Sequence, residues 1–207
     1  PVDPPVDPPV TPPVTPPVDD DNDGITATTE GEVPSLPPTG GGTTVVGDGN
    51  GDGVADNQQA SVTSVPFLKT TTAVSNPTGA PPVYVTLVAD SNAGVTDTTD
   101  TNSAQLTSVQ QKDAPTGLPS EMLMPLGLIS FVANVGTAGI TETFSLFVDS
   151  SISFNGYWKQ DKAGTWCNIA TAIETVGGKT RIDFAIGSMP LSMVGELPVT
   201  TGTGFWF

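Results

Sequence analysis

A series of strand-length segments separated by turn residues constrains the fold of this chain more than any other feature of its sequence. In segment 140–149, apolar residues largely alternate with polar ones, and this period of two gives an extended strand one apolar face. Turns such as Asn155–Gly156 and Gly177–Gly178 separate the segments, because asparagine and glycine tolerate tight-turn conformations. Threonine and valine, which fit a pleated surface, occur 30 and 23 times, whereas lysine and glutamate are scarce. These features predict an all-β fold with no helix of ordinary length.

The predicted strands and the composition divide the chain into three parts. We expect a proline-rich arm or linker at 1–18, an acidic calcium-loop module at 19–59 and a β-sandwich of jelly-roll or immunoglobulin-like type at 60–207. The strands are predicted at 60–74, 82–89, 104–112, 127–135, 140–149, 156–160, 166–176, 179–187 and near 203–207.

Residues 1–18 repeat a four-residue unit, PVDP or PVTP, in which half of the positions are proline. Proline removes backbone donors and fixes φ, so the segment builds no core of its own and extends by about 3.1 Å per residue as a semi-rigid spacer. Two interpretations stay open. The segment is a linker to a preceding domain or to the cell envelope, or it is an arm that docks on a neighbouring subunit.

The charge and the residue inventory exclude several classes of function. Aspartate and glutamate total 22 against six lysines and arginines, so the net charge of −16 leaves no basic surface for a nucleic acid or an anionic membrane. Histidine is absent, which removes histidine-based catalysis and zinc ligation, and the single cysteine allows no intrachain disulfide. The longest apolar stretch, 122–135, is interrupted by Pro125 and Gly127, and it is too short to be a transmembrane segment.

Two acidic, glycine-containing loops carry the strongest chemical signal. Oxygen-bearing side chains at positions 1, 3 and 5 of such a loop converge on one hard cation, glycine at position 6 allows the tight turn, and a carbonyl at position 7 adds a ligand. The first loop offers Asp19, Asp21, Asp23, the carbonyl of Ile25 after Gly24, and Glu30 at the twelfth place. The second loop offers Asp48, Asn50, Asp52, the carbonyl of Val54 after Gly53, Asp56 at the ninth place and Gln59 at the twelfth.

These loops predict Ca²⁺ as the cofactor, because closely spaced carboxylates repel one another unless a cation lies between them. The apolar residue stands at position 7 instead of position 8 and no flanking helices are predicted, so the loops are not expected to be EF-hands. The alternative interpretation is a solvated acidic linker.

The spacing D-x-D/N-x-D-G-apolar resembles the calcium loops of thrombospondin type 3 repeats. A wider resemblance connects DGNGDGVADNQQASVTSVP at 48–66, MPLGLISFVANV at 124–135 and GYWKQDKAGTW at 156–166 with the choice-of-anchor U domain of bacterial surface proteins. In that family a calcium loop precedes a β-rich domain, and the match would span residues 48–187. The resemblance implies a secreted or cell-surface location and no known catalytic role.

Three further features have two interpretations each. Tyr157, Trp158 and Trp166 stack on sugar rings, as in lectin-like modules, or two of the three are core residues. The aromatic residues 205–207 close the sandwich, or they complete the sheet of a neighbour by strand addition. Cys167 has no histidine to activate it, and we expect it to be a small buried apolar residue.

Carboxylates are the only groups that catalysis could use, and no spacing singles out a pair, so we expect no enzymatic activity. Taken together, the composition and the loops favour an extracellular structural protein, processed from an exported form. It would be a calcium-stabilised subunit of a microbial surface filament or layer, self-assembling into a homopolymer through the N-terminal arm or strand exchange. The alternative is a monomeric adhesion or carbohydrate-binding module on a proline-rich stalk, with glycans or host or cell surfaces as partners. A calcium-dependent hydrolase is a third interpretation.

Overall fold

The structure of this protein, a computed structural model, is an all-β fold. The residues it describes are 16–69, 81–89, 104–134, 141–160 and 164–187. Within these ranges the helical elements are the short helix α1 at Ala27–Glu30 and a 3₁₀ turn at Asp56–Gln58, and no helix is long and apolar enough to cross a membrane. The strands are β1 (Val62–Phe67), β2 (Val83–Ala89), β3 (Gln105–Lys112), β4 (Leu128–Asn134), β5 (Thr141–Asp149), β6 (Trp158–Gln160), β7 (Trp166–Asn168), β8 (Ala170–Val176) and β9 (Lys179–Gly187).

Five strands form one antiparallel sheet in the order β1-β2-β5-β9-β8. Two smaller antiparallel sheets pair β3 with β4 and β6 with β7. β8 and β9 form a hairpin whose two turn residues, Gly177 and Gly178, have φ values of 56° and 89°. Such positive values at both turn positions match the twist of the flanking strands, and glycine adopts them without steric cost. The turn therefore fixes the register in which Val176 faces Lys179.

One apolar core lies between the five-stranded sheet and the β3–β4 pair. Leu87 on β2, Leu146 on β5 and Ile182 on β9 are aligned across the sheet, and all three are buried. From the other side Phe131 of β4 contacts Phe144 of β5, with ring centroids 5.3 Å apart. Removal of these side chains from water is the main driving force for this packing. This arrangement establishes an all-β fold. A β-sandwich of jelly-roll or immunoglobulin-like type stays a prediction.

The opposite face of the five-stranded sheet carries polar residues that are also buried. Ser64 of β1 faces Thr86 of β2, and their hydroxyl oxygens are 2.7 Å apart. Nearby, the ammonium group of Lys179 on β9 donates to the carbonyl of Gly49 at 2.7 Å. The segment with the acidic loops therefore packs on this face and along β1, which fixes the loops relative to the sheet.

One predicted strand, 166–176, is two strands in the structure. The amide of Ile169 donates to the carbonyl of Tyr157 at 2.8 Å and so belongs to the β6–β7 hairpin. From Ala170 onward the chain pairs instead with β9, where Ala170 faces Phe184. The change of partner interrupts the strand. The strand predicted near 203–207 lies outside the described residues.

The expectation that Cys167 is buried is wrong, because the side chain is exposed. Cys167 pairs with Lys159 on the β6–β7 hairpin, whose strands have only three residues each. Trp158 and Trp166 on the same two strands line a cavity instead. Because side chains alternate along a strand, Cys167 lies on the opposite face of β7 from Trp166, and it is absent from the lining of that cavity.

Candidate metal centre

The two acidic loops have the same backbone conformation. In the first, the amide of Gly24 donates to Asp19 Oδ2 at 3.1 Å, and in the second the amide of Gly53 donates to Asp48 Oδ2 at 2.8 Å. Both glycines have a φ of 95°, a value that residues with a Cβ rarely adopt. Glycine at the sixth place therefore lets each loop turn back on the carboxylate that begins it.

The next carboxylate in each loop is held in an equivalent way. The amide of Ile25 donates to Asp23 Oδ1 at 2.6 Å, and the amide of Val54 donates to Asp52 Oδ1 at 2.8 Å. Bonds of this kind, from a backbone amide two residues ahead, orient an aspartate side chain within its own turn. They occupy one oxygen and leave the second oxygen of each carboxylate for another partner.

Asp19, Asp21 and Asp23 come together in the first loop. One oxygen from each of the three carboxylates lies within 4.8 Å of the other two, so the cluster can hold a metal ion. Carboxylate oxygens are hard donors, and Ca²⁺ takes six to eight such ligands at about 2.3–2.6 Å. Donor chemistry and spacing thus fit the cation that the loop sequence predicts.

Glu30, at the twelfth place, reaches the same region from α1. Thr26 caps this helix by accepting the amide of Thr29 at 3.2 Å, so the helix starts directly after the loop and ends at Glu30. The Glu30 side chain is 1% exposed, and its Oε1 accepts the amide of Ser64 on β1 at 3.1 Å. This contact ties the last residue of the loop to the edge of the sheet.

Three buried carboxylate oxygens of the first loop have no hydrogen-bond partner in the described part of the chain. They are Oδ2 of Asp21, Oδ2 of Asp23 and Oε2 of Glu30. Buried polar atoms are almost always satisfied in folded proteins, so an unsatisfied group at such a place calls for an explanation. A cation held by the cluster of Asp19, Asp21 and Asp23 would satisfy the aspartate oxygens that face it.

The pKa values of these carboxyl groups also reflect their burial and their closeness to one another. Burial, together with the charges of the nearby Asp23 and Asp21, raises the pKa of Glu30 to about 9 against the opposing hydrogen bond from Ser64. Burial, followed by the charge of Asp23, raises the pKa of Asp21 to about 6. Without a cation the ionised forms of these groups are therefore disfavoured, and a divalent ion would reverse that preference.

The second loop also gathers most of its predicted ligands, but amide groups already contact them. The Gln59 Nε2 lies 3.4 Å from Asp52 Oδ1 and 3.4 Å from the carbonyl oxygen of Val54. Asn50 donates through Nδ2 to Asp52 Oδ2 at 3.2 Å, and Asp48 accepts the amide of Gly51 at 2.6 Å. The oxygens of this loop are thus close together and largely satisfied by the chain itself.

Asp56, predicted as the ninth-place ligand, lies between the second loop and the sheet. Its Oδ1 accepts the amide of Gly49 at 2.9 Å, and its Oδ2 accepts the hydroxyl of Ser64 at 2.5 Å. Burial raises the pKa of Asp56 to about 7. A Cβ added at Gly49 would lie 2.1 Å from Thr86 Oγ1, so only glycine allows the loop to approach the sheet this closely. These contacts engage both oxygens of Asp56, and its role as a ligand stays a prediction.

The sequence did not indicate three residues that meet the loops: Thr63 and Ser64 on β1 and Lys179 on β9. Each is buried, and each lies on a strand outside the loop that it contacts. The weak signal for Thr63 and Ser64 is a pair of polar residues inside an otherwise apolar strand. Burial lowers the pKa of Lys179 to about 8, against the attraction of Asp56 and Asp48.

The aromatic residues lie elsewhere. Tyr157 packs on Phe184 of the core with ring centroids 4.1 Å apart, which makes it a core residue. Trp158 and Trp166 line a cavity of about 210 Å³ together with apolar residues of 123–129. The two indoles share one face of the β6–β7 hairpin, because Trp158 faces Asn168 and Gln160 faces Trp166 in the register.

Comparison with protein-family models, with curated proteins and with solved structures finds no match for this chain. The resemblances to thrombospondin type 3 loops and to the choice-of-anchor U domain therefore stay predictions.

We expect the metal-free protein to lose stability as the pH rises from about 5 to about 8. Asp21, Asp56 and Glu30 have pKa values of about 6, about 7 and about 9 in the folded chain, above those of free carboxyl groups. The folded state keeps these protons where the unfolded state has released them. Its advantage is complete at low pH and is lost as the pH passes through the folded pKa values.

Urea unfolding at several pH values, in protein freed of metal, measures this dependence. High sodium chloride is the control, since it screens repulsion between exposed carboxylates but hardly affects buried ones. A free energy of unfolding that stays constant or rises over this range would contradict the assignment of buried, protonated carboxyl groups to the loops.

Proposed function

We propose that this protein is a non-catalytic extracellular structural protein whose loop module binds Ca²⁺, and that it is a subunit of a microbial surface filament or layer. The observation that carries the calcium assignment is the cluster of Asp19, Asp21 and Asp23, together with the buried Glu30, one oxygen of which has no hydrogen-bond partner among the described residues. Calcium fits better than magnesium, because the loop offers four carboxylates and a backbone carbonyl from the protein itself, whereas Mg²⁺ usually keeps several waters and takes one or two carboxylates.

Calcium would act as a structural ion in this proposal. Glu30 accepts a hydrogen bond from the amide of Ser64, so an ion bound by Glu30 would be linked to β1 through that side chain and that hydrogen bond. Binding would offset part of the negative charge of the loop and fix the loop against the sheet. The ordered junction would then transmit force or position between the N-terminal arm and the β domain.

Replacement of Glu30→Gln is expected to weaken calcium binding at the first loop by about tenfold or more, because it removes one charge from the ligand set. An NMR titration measures this at each loop separately, since the amides of Gly24 and Gly53 each donate to the first carboxylate of their own loop. Glu32→Gln is the matched control. Glu32 is exposed and accepts the hydroxyl of Tyr84 at 2.9 Å, away from the cluster.

Two results would contradict the calcium assignment. One is a Gly24 signal that does not respond to calcium in the unaltered protein. The other is equal calcium affinity in the Glu30→Gln and Glu32→Gln variants.

The assembly proposal rests on the proline-rich repeat at 1–18 and the aromatic residues 205–207, both features of the sequence. Head-to-tail contacts of one kind, repeated without closure, generate fibres. We expect negative-stain electron microscopy to show regular fibres in millimolar calcium that fray or disappear in excess EDTA. Fibres that are unchanged by EDTA would support the assembly proposal but show that assembly does not depend on calcium. Isolated particles in both conditions would contradict a filament subunit.

The cavity at Trp158 and Trp166 favours a second candidate function, a carbohydrate-binding or adhesion module. Indole faces stack on the apolar faces of sugar rings, and two indoles on one face of a hairpin provide such a platform. We expect a glycan array to give hits that Trp166→Ala abolishes and Tyr84→Phe, a distant aromatic control, retains. An array without hits would exclude this function for the glycans tested.

A further inference from the structure

Two consecutive residues of β1 lie next to the first loop at two of its predicted carboxylate ligands, Asp23 and Glu30. Ser64 donates its amide to Glu30 Oε1 at 3.1 Å, although the two residues are 34 positions apart in the sequence. This amide points away from β2, at the free edge of the five-stranded sheet. The edge strand thus uses a backbone donor that lacks a strand partner to hold a carboxylate.

Thr63, the residue before it, directs its side chain to the other face of the strand, and Asp23 Oδ2, like the Thr63 hydroxyl, is buried without a hydrogen-bond partner among the described residues. Its side chain is fully buried, and its hydroxyl has no hydrogen bond of ordinary geometry within the described residues. The hydroxyl is nevertheless close enough to Asp23 to lower the pKa of that carboxyl group, against the larger effect of burial. A small movement of Asp23 toward an ion, or of the hydroxyl toward Asp23, would give the hydroxyl the partner it needs.

A third contact fastens the same loop from β3. Gln105 donates through Nε2 to the carbonyl of Asn22 at 3.1 Å. Asn22 itself has a φ of 65°, so this side-chain contact secures a residue in a conformation that few non-glycine residues adopt. The loop is therefore held by the β domain at Asn22 and Glu30.

We propose that β1 is part of the metal centre: the Thr63 hydroxyl positions Asp23, and the Ser64 amide positions Glu30, for binding of the cation. The proposal rests on the calcium function above and assigns Thr63 as a positioning residue outside the loop motif. Groups that orient metal ligands in this way affect metal affinity by about 10- to 100-fold. Ion binding and closure of the β1 edge are then one event.

Thr63→Val tests the proposal, because it keeps the shape of the side chain and removes the hydroxyl. We expect it to weaken calcium binding at the first loop about tenfold, read from the Gly24 amide, and to leave the Gly53 signal of the second loop unchanged. Thr63→Ser, which restores a hydroxyl, should recover most of the affinity. Thr143→Val is the matched control, since Thr143 lies on β5 and its hydroxyl is also buried without a partner among the described residues.

Hydrogen exchange in the unaltered protein provides a second test that needs no variant. We expect calcium to slow exchange of the Ser64 amide more than that of amides at the opposite edge, in β8. If Thr63→Val binds calcium like the Thr143→Val control, or if calcium leaves Ser64 exchange unchanged, the proposal is wrong while calcium binding stands. If Gly24 of the unaltered protein ignores calcium, the proposed function itself fails.

Discussion

The contact between Glu30 and the edge of β1 joins the first acidic loop to the five-stranded sheet, and the arrangement of the loop depends on it. An edge strand presents amide groups without partners, and proteins must cover or blunt such an edge. Here the carboxylate of Glu30 takes the Ser64 amide, where a neighbouring strand would otherwise supply an acceptor. The same carboxylate is near Asp21 and Asp23, whose charges help to raise its pKa. One side chain therefore serves both the sheet and the acidic loop.

That arrangement makes the charge of the loops a structural matter. The chain has a net charge of −16. Most of the buried acidic residues in the described ranges lie in the two loops. Lys179 is the buried cation near them in the described ranges, and it contacts the second loop through Gly49. Within the described residues, no lysine or arginine makes a comparable contact with the first loop. A divalent ion at Asp19, Asp21 and Asp23 would supply the missing charge, and through Glu30 it would also stabilise the sheet edge.

The local parts of this structure could be predicted from the sequence, and the long-range parts could not. Alternation located β2, β3, β5 and β9 to within about one residue at each end, because a period of two is a property of the strand itself. The ligand spacing of each loop is equally local. Thr63 and Ser64 escaped prediction because their roles depend on which strand forms the sheet edge. Cys167 was misplaced because its exposure depends on which face of a three-residue hairpin strand packs on the core.

The two loops make equivalent backbone hydrogen bonds to their aspartates, but they differ in how many of their oxygens lack a partner. The first has carboxylates at its first, third, fifth and twelfth places, and three of their oxygens are buried without partners in the described structure. The second replaces two of these carboxylates by Asn50 and Gln59, whose amide groups donate to Asp52. Since affinity for Ca²⁺ rises with the number of charged ligands, the first loop would be the stronger site for the proposed calcium ion. It is also the loop that closes the β1 edge. Calcium dependence of the fold should therefore arise at the first loop, while Asp56 and Lys179 hold the second against the sheet by direct contacts.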